Sequence, residues 1–339
     1  MPNPSSADVR ATPRTQSVPL SRFASERALR RLELQIVRRL DGFLHGEHLG
    51  LLPGPGTDLA EARPYVPGED DVRRMDWSVT ARTTIPHVRD LIADRELETW
   101  SVVDLSPSMH FGTAAMEKRD LAVSAVATLG LLTFKAGDRF GGYVLDRGGI
   151  RRWPARSGRL ALFALLRSLT RERPAGDGTR TGATLADTLT MVARAQRKRG
   201  LRVVVSDFLD LHDPADAQTP PAWDKGMREL SLRHQVIAVE IIDPRELDIP
   251  DVGVVLLQDP ESGEVRELNT GSRKVRTRYA AAARLQRQRT AHALRRAGVG
   301  HLVLRTDRDW VADIARFALN HRRTAARLHD PRRGGAAVR

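Results

Sequence analysis

Residues 99–109 constrain the fold of this chain more than any other stretch. The run Ser101-Val102-Val103 is largely apolar and β-branched, which predicts a short buried strand. The strand ends at Asp104, and Ser106 and Ser108 follow at spacings of two. In open α/β sheets, ligands bind in the crevice at the carboxyl ends of the strands. The stretch therefore predicts an α/β sheet with a polar site at one strand end.

The oxygen-bearing side chains of this stretch are suited to a small, hard cation. Asp104 offers a carboxylate, and Ser106 and Ser108 offer neutral hydroxyls. Mg²⁺ prefers few protein ligands of this kind and keeps several of its waters, while Mn²⁺ and Ca²⁺ share the ligand set. The alternative is a loop whose Asp and Ser side chains only cap the next helix.

The composition is that of a soluble globular protein and excludes thiol chemistry. The chain has 339 residues, of which 41% are hydrophobic and 29% charged, and it has no cysteine. Disulfides, thiol catalysis and cysteine-ligated zinc are therefore excluded. The first residues lack the pattern of a signal peptide, and the most apolar run, residues 121–134, is too short to span a bilayer. We expect a cytoplasmic protein without a membrane span.

The net charge of +13 raises the alternative of a basic nucleic-acid-binding protein. Much of the excess lies in the arginine-rich residues 284–296 and 322–339. Aromatic residues make up only 5% of the chain, so few platforms for base stacking are available. Solvated, arginine-rich helix faces are therefore the favoured interpretation.

Strand and helix patterns alternate from about residue 99 onwards. This alternation predicts a Rossmann-like, doubly wound and mostly parallel sheet. The strand predicted at residues 301–304 is expected to join the same sheet. The predicted organisation is a disordered tail (1–22), an N-terminal helical and loop extension (23–98) with a helix over 25–44, the α/β domain (99–328) and a second disordered tail (329–339).

The extension contains a polar segment, residues 63–82, in which charges alternate. Its charged and aromatic members are Arg63, Arg73, Arg82, Asp70, Asp71, Asp76, Tyr65 and Trp77. We predict an ordered network of Arg–carboxylate pairs anchored by Tyr65 and Trp77. Asp70 or Asp71 is also placed to cap a short helix from about Val72. The alternative is a solvated charged loop.

Two later positions complete the predicted site. Thr184 lies in a Gly-containing turn before a predicted helix, and Asp207 follows a Val-rich predicted strand. If Asp104 and Asp207 end adjacent parallel strands, both face one crevice. Such a cluster surrounds a cation directly or through water and leaves one position for an outside carboxylate. The predicted metal ligands are Asp104, Ser106, Ser108, Thr184 and Asp207.

This pattern resembles a known binding site. Asp104-x-Ser106-x-Ser108, followed by Thr184 and Asp207, is similar to the metal-ion-dependent adhesion site (MIDAS) of von Willebrand factor A domains. The earlier Pro67-Gly-Glu-Asp-Asp-x-Arg73 run, with Asp76-Trp77, resembles the bacterial family called domain of unknown function 58 (DUF 58). The resemblance implies a von Willebrand factor A-like fold, a bound divalent ion (usually Mg²⁺), and association with MoxR-type AAA+ ATPases as an adaptor in protein maturation.

The resemblance also implies a role for each ligand. Asp104 would hold the ion directly or through water, and Ser106 and Ser108 would bind it directly. Asp207 would orient bound waters. Thr184 would bind directly or through water, depending on the conformation, and a Glu or Asp of a partner protein would take the open position.

The chain departs from its relatives in two respects. Many relatives carry N-terminal membrane spans, whereas none is found here, so a cytosolic adaptor is expected. Phe208 follows Asp207 where extracellular relatives usually have Gly, and we expect Phe208 to shape or shield the rim of the site.

The favoured hypothesis is a non-enzymatic, metal-dependent protein-interaction module. A phosphohydrolase with Asp104 as nucleophile would need a second acid two residues on, where this chain has Ser106. His110 is near, but the sequence identifies no residue that would orient it as a base, so a seryl hydrolase is unsupported. The basic C-terminal helix leaves nucleic-acid binding as the remaining alternative.

Overall fold

The computed structural model describes residues 30, 32–39, 62–66, 72, 75–89, 98–114, 116–133, 138–170, 182–209, 219–258 and 263–328. The predicted tails, 1–22 and 329–339, lie outside the described residues, as do Asp70, Asp71 and Arg73. Of the helix predicted over 25–44, residues 30 and 32–39 are described and are helical.

The elements follow the predicted alternation. The strands are β1 (Ala62–Pro64), β2 (His87–Arg89), β3 (Glu98–Asp104), β4 (Arg139–Asp146), β5 (Gly149–Ser157), β6 (Gly200–Ser206), β7 (Gln235–Ile242), β8 (Val254–Gln258), β9 (Val265–Asn269) and β10 (Gly300–Arg305). The helices are α1 (residues 32–39), α2 (Trp77–Thr83), α3 (Lys118–Thr133), α4 (Arg159–Thr170), α5 (Leu185–Ala195), α6 (Asp224–Ser231), α7 (Pro244–Leu247), α8 (Arg273–Arg296) and α9 (Trp310–Leu328), with a short 3₁₀ helix (Pro107–His110) after β3.

A six-stranded sheet in the order β10-β7-β6-β3-β4-β5 forms the centre of the fold. Its neighbouring strands are parallel except β5, which pairs antiparallel with β4 through a tight hairpin. The predicted α/β class, a doubly wound and mostly parallel sheet, is confirmed. The chain leaves β3 for β4 on one side and later enters β6 on the other, so a topological switch point lies between β3 and β6.

Helices cover both faces of the sheet. Residues of α1, α3, α4 and α9 form one core with alternate strand residues such as Val203 and Val205. Helices α5, α6 and α8 form a second core with the intervening ones, such as Val204. Because each central strand is buried on both faces, continuous β-branched runs are favoured there. The same burial leaves the strand ends as the places where polar side chains reach solvent.

Helix α1 packs against the first of these cores. Leu32 and Ile36, one helical turn apart, are both buried in it. Glu33 accepts a hydrogen bond from Arg159 of α4 at 2.9 Å. None of the described helices is long and apolar enough to cross a membrane.

The polar segment before β2 differs from its prediction. Its helix begins at Trp77, where Asp76 caps it by accepting the N–H groups of Ser78 (3.0 Å) and Val79 (3.2 Å). The predicted anchor role of Trp77 is wrong, because its side chain is 69% exposed. Arg82, predicted to join an Arg–carboxylate network, donates from Nε to the carbonyl of Ser78 in its own helix. Helix α2 is thus capped by Asp76 and largely exposed, while the predicted network partners Arg63, Asp70, Asp71 and Arg73 have side chains outside the described part of the chain.

Candidate metal centre at the carboxyl edge of the sheet

Strands β3 and β6 place two of the predicted ligands at the same edge. The strands are adjacent and parallel, with Val103 opposite Val205. Asp104 therefore lies level with Ser206, the last residue of β6, and Asp207 follows directly. The sequence interpretation required this adjacency.

The Asp104 carboxylate organises the turn that follows it. Its Oδ1 accepts the backbone N–H of Ser106 at 2.9 Å, and its Oδ2 accepts the hydroxyl of Ser206 at 2.7 Å. The hydroxyl oxygens of Ser106 and Ser108 lie 3.2 Å apart. Asp104 is buried, and burial, together with the charge of nearby Asp207, raises its pKa to about 6. The turn thus gathers one carboxylate and two hydroxyls.

Asp207 is held by a buried lysine. Lys118 begins α3, is fully buried, and donates from Nζ to Oδ2 of Asp207 at 2.8 Å. The same ammonium also pairs with the carboxylate of Glu246 from α7. Burial by itself would lower the pKa of Lys118, but the charges of Asp207 and Glu246 outweigh it and raise that pKa above its usual value. Burial raises the pKa of Glu246 in spite of the lysine.

A third strand end, Asp243 after β7, ties the loops of this edge together. Its carboxylate accepts the N–H and hydroxyl of Thr113 at 2.8 and 2.6 Å, the hydroxyl of Thr306 at 2.8 Å and the N–H of Arg245 at 2.9 Å. Burial would raise the pKa of Asp243, but these hydrogen bonds hold it below its ordinary value. Asp243 therefore has a structural role beside the candidate site.

Thr184 is the N-cap of α5. Its hydroxyl donates to Oδ2 of Asp187 at 2.7 Å and accepts the N–H of Asp187 at 3.2 Å, which forms a capping box. Within the described residues, no hydrogen bond joins Thr184 to Asp104 or Asp207. The structure thus brings Asp104, Ser106 and Ser108 into one turn, while the polar atoms of Thr184 are engaged within its own helix.

Phe208 occupies a conformation that usually belongs to Gly. Its φ is 53°, in the left-handed region, and its side chain is buried edge-to-face against Trp223 with ring centroids 5.1 Å apart. Its N–H donates to the hydroxyl of Ser206 at 3.0 Å, and that hydroxyl in turn binds Asp104. Phe208 therefore packs inward beneath the site and supports the Ser206–Asp104 hydrogen bond.

Sequence reasoning missed several residues of this cluster. They are Lys118, Ser206, Asp243 and Glu246. Asp243 could have been found, because it follows an apolar strand just as Asp104 and Asp207 do. Lys118 begins a helix that is almost wholly buried, and the residues near it in the sequence do not indicate which carboxylates it pairs with.

Comparisons with known proteins identify the family. Residues 61–289 match the family model described as "Protein of unknown function DUF58". The chain belongs to the DUF58 family. It is 48% identical over 302 residues to "Uncharacterized protein Rv1480" of Mycobacterium tuberculosis (strain ATCC 25618 / H37Rv), covering 89% of this chain and 91% of that protein. It is 40% identical over 174 residues to "Uncharacterized protein MAV169" of Mycobacterium avium, covering 51% of this chain and 96% of that protein.

Solved structures similar to this DUF58 chain include proteins with von Willebrand factor A domains. The conserved hypothetical protein BatB from Bacteroides thetaiotaomicron has a TM-score of 0.38 at 13% identity, covering 67% of this chain and 99% of that one. A von Willebrand factor type A protein from Catenulispora acidiphila has a TM-score of 0.34 at 14% identity, covering 67% of this chain and 42% of that one. These similarities concern the fold alone.

The turn of this DUF58 protein fits a small cation in part. Mg²⁺ with ligands at 2.0–2.1 Å in octahedral geometry places neighbouring oxygens about 3 Å apart. The hydroxyls of Ser106 and Ser108 are hydrogen-bonded to each other at 3.2 Å, a separation close to that spacing. The described residues contain no group of three or more His, Cys, Asp and Glu placed to hold a metal ion. A cation here would depend on Asp104, the hydroxyls and water.

Proposed function

We propose that this DUF58 protein is a protein-interaction module that binds a partner's carboxylate through a divalent cation, Mg²⁺ before Mn²⁺ or Ca²⁺. One observation carries the proposal. The hydroxyls of Ser106 and Ser108 lie 3.2 Å apart beside the Asp104 carboxylate, at the switch point between β3 and β6. A cation bound there would supply the positive charge that a Glu or Asp of another protein needs.

The residues of the turn would have distinct roles. Asp104, Ser106 and Ser108 would hold the cation, with Asp104 oriented by its hydrogen bond from Ser206. Asp207 is paired with Lys118, so it would act through water rather than by direct contact. These roles need no covalent step, and the module is proposed to be non-enzymatic.

The kind of partner is the second part of the proposal. We propose that the protein works in the cytoplasm as an adaptor for a MoxR-type AAA+ ATPase, in protein maturation or complex assembly. The similarity of residues 67–77 to the DUF 58 pattern supports this part, because MoxR association belongs to what that resemblance implies. Thr184, at the exposed start of α5, would contribute to the cation directly or through water once a partner is bound.

A pull-down from the native cell extract tests both parts. The tagged wild type is used with Mg²⁺ and with a chelator, beside Asp104→Asn and the matched control Glu267→Gln, which removes one exposed charge from β9. An AAA+ ATPase retained only by Mg²⁺-loaded wild type and control supports the proposal. Proteins retained equally with chelator and by Asp104→Asn contradict metal dependence. Metal-dependent retention without an AAA+ ATPase contradicts the second part alone.

A further inference from the structure

A basic groove lies between the ends of α5 and α6, away from the candidate metal centre. It has a volume of about 690 Å³ and is lined by Ala193, Arg194, Arg197, Glu229, Leu232 and Arg233. Helix α5 begins at the Thr184 cap and spans 11 residues, about 16 Å at 1.5 Å per residue. The groove is at the far end of that helix, near the amino ends of β6 and β7.

Positive charge predominates among the described residues that line the groove. Arg194, Arg197 and Arg233 are exposed, and none of them has an ion-pair partner in the part of the chain that the structure describes. Glu229 is the single acidic residue among the six that line the groove. Guanidinium groups bind carboxylates in bidentate fashion, so the groove favours an acidic ligand.

An apolar anchor point lies among these arginines. Leu232 follows α6 and is 82% exposed, the most exposed large apolar side chain of the described residues. Ala193 of α5, which is 9% exposed, also lines the groove. An exposed leucine beside three arginines favours a ligand that is both acidic and apolar, because such a ligand pairs with the arginines and removes the leucine from water.

The groove is held in place by buried hydrogen bonds. Arg202, fully buried in β6, donates from Nη2 to the carbonyl of Lys198 at 2.9 Å. Gln196 donates to the hydroxyl of Tyr143 at 2.8 Å, and its carbonyl is hydrogen-bonded to Nε2 of His234 at 3.0 Å. The loop after α5 is therefore fixed before any ligand arrives, which lowers the entropic cost of binding.

We propose that this groove docks an acidic, leucine-bearing helical segment of a protein partner. Two helices flank it, which is the geometry in which an amphipathic helix binds with its apolar face inward. None of the six lining residues is aromatic, so the groove lacks the stacking platforms that nucleic-acid bases use. The proposal goes beyond the metal-dependent function because the groove needs no cation.

Fluorescence anisotropy with a labelled helical peptide tests this surface. The peptide has Glu residues on one face and Leu residues on the other, and a chelator is present throughout. The variants are Arg197→Glu and Leu232→Ser, with Arg295→Glu on the exposed face of α8 as a control of equal charge change. We expect the affinity to fall about tenfold or more with Arg197→Glu, about fivefold with Leu232→Ser, and less than about twofold with the control.

Four results would overturn the proposal. The first is an equal loss of peptide affinity in Arg197→Glu and Arg295→Glu. The second is wild-type binding that does not saturate up to roughly 1 mM peptide. The third is a labelled single-stranded DNA that binds tightly and is weakened by Arg197→Glu while the peptide does not bind. The fourth is peptide binding that appears only when Mg²⁺ replaces the chelator and is lost in Asp104→Asn, which would assign the acidic ligand to the metal centre and support the proposed function instead.

Discussion

The ammonium of Lys118 lies 2.8 Å from the carboxylate of Asp207, and both side chains are buried. The same lysine pairs with Glu246, and Asp207 is close enough to Asp104 to raise its pKa. Two carboxylates therefore share one ammonium, and Asp104 adds a third carboxylate close by, so these four groups carry two net negative charges when all are ionised. A divalent cation at the Asp104 turn would balance them.

The variant Lys118→Met tests this charge balance. It keeps most of the side-chain volume but leaves the buried Asp207 and the half-buried Glu246 without a counter-charge, so we expect a loss of about 3–5 kcal/mol in the free energy of unfolding. Urea denaturation measures it, with the exposed Lys225→Met as control. Mg²⁺ should stabilise Lys118→Met more than wild type, because the cation replaces the missing charge. Equal stabilisation of the two proteins would contradict the shared cluster.

Metal affinity should depend on the Asp104 turn. We expect Asp104→Asn and Ser106→Ala each to weaken Mg²⁺ binding about tenfold or more, because each removes one proposed ligand. Isothermal titration calorimetry measures the affinity, and Glu267→Gln, which removes an exposed charge, should bind as wild type does. Unchanged Mg²⁺ binding by both turn variants would show that the ion is held elsewhere.

At position 208 we expect a glycine variant to be more stable than an alanine variant, the reverse of the usual order. At a φ of 53°, a non-Gly residue costs about 1–2 kcal/mol, which Phe208 offsets by packing on Trp223. Phe208→Ala loses that packing and keeps the strain, so we expect a loss of about 3–5 kcal/mol. Phe208→Gly loses the same packing, but glycine adopts a positive φ without strain. This variant should therefore be about 1 kcal/mol more stable than Phe208→Ala. Chemical denaturation of Phe208→Ala and Phe208→Gly measures the difference in stability. A Gly variant that is less stable than the Ala variant would refute the strain argument.

Asp76 should contribute to the stability of the fold, as the sequence predicts, whereas Trp77 should not. Asp76→Ala removes the N-cap of α2 and is expected to cost about 0.5–2 kcal/mol. Trp77→Ala removes a side chain that is 69% exposed and should cost less than about 0.5 kcal/mol. Thermal unfolding of both variants, compared with the wild type, measures these two losses of stability. A large loss with Trp77→Ala would restore the anchor role.

His234 should make stability depend on pH. Burial, with a smaller effect of Arg202, lowers its pKa from 6.5 to about 4. The unfolded chain therefore binds a proton near pH 6.5 that the folded chain accepts only near pH 4. His234 contributes stability above pH 6.5 that is lost as pH falls towards 4, with a slope of up to about 1.4 kcal/mol per pH unit.

Urea denaturation at a series of pH values checks this contribution. His234→Gln should flatten the slope between pH 6.5 and 4, whatever its effect on stability at neutral pH. The exposed His292→Gln is the matched control and should keep the wild-type slope. An unchanged slope in His234→Gln would exclude His234 as the source.

The sequence by itself determined the layer architecture and the Asp104 turn. Both are local in origin, because β-branched runs favour buried strands and Asp, Ser and Pro favour the turn that follows. Capping chemistry was not fully foreseen: the structure adds Asp76 as the N-cap of α2, and the predicted caps Asp70 and Asp71 lie outside the described residues.

Only the tertiary structure decided what surrounds the turn. Lys118 meets Asp207 and Glu246 across 89 and 128 residues of sequence, and Ser206 meets Asp104 across 102. These contacts exist because the strand order places β6 beside β3, and because α3 and α7 lie at the same edge of the sheet. A local pattern encodes which residues form a strand or a turn, but burying a charge needs a counter-charge that only the completed fold brings within reach.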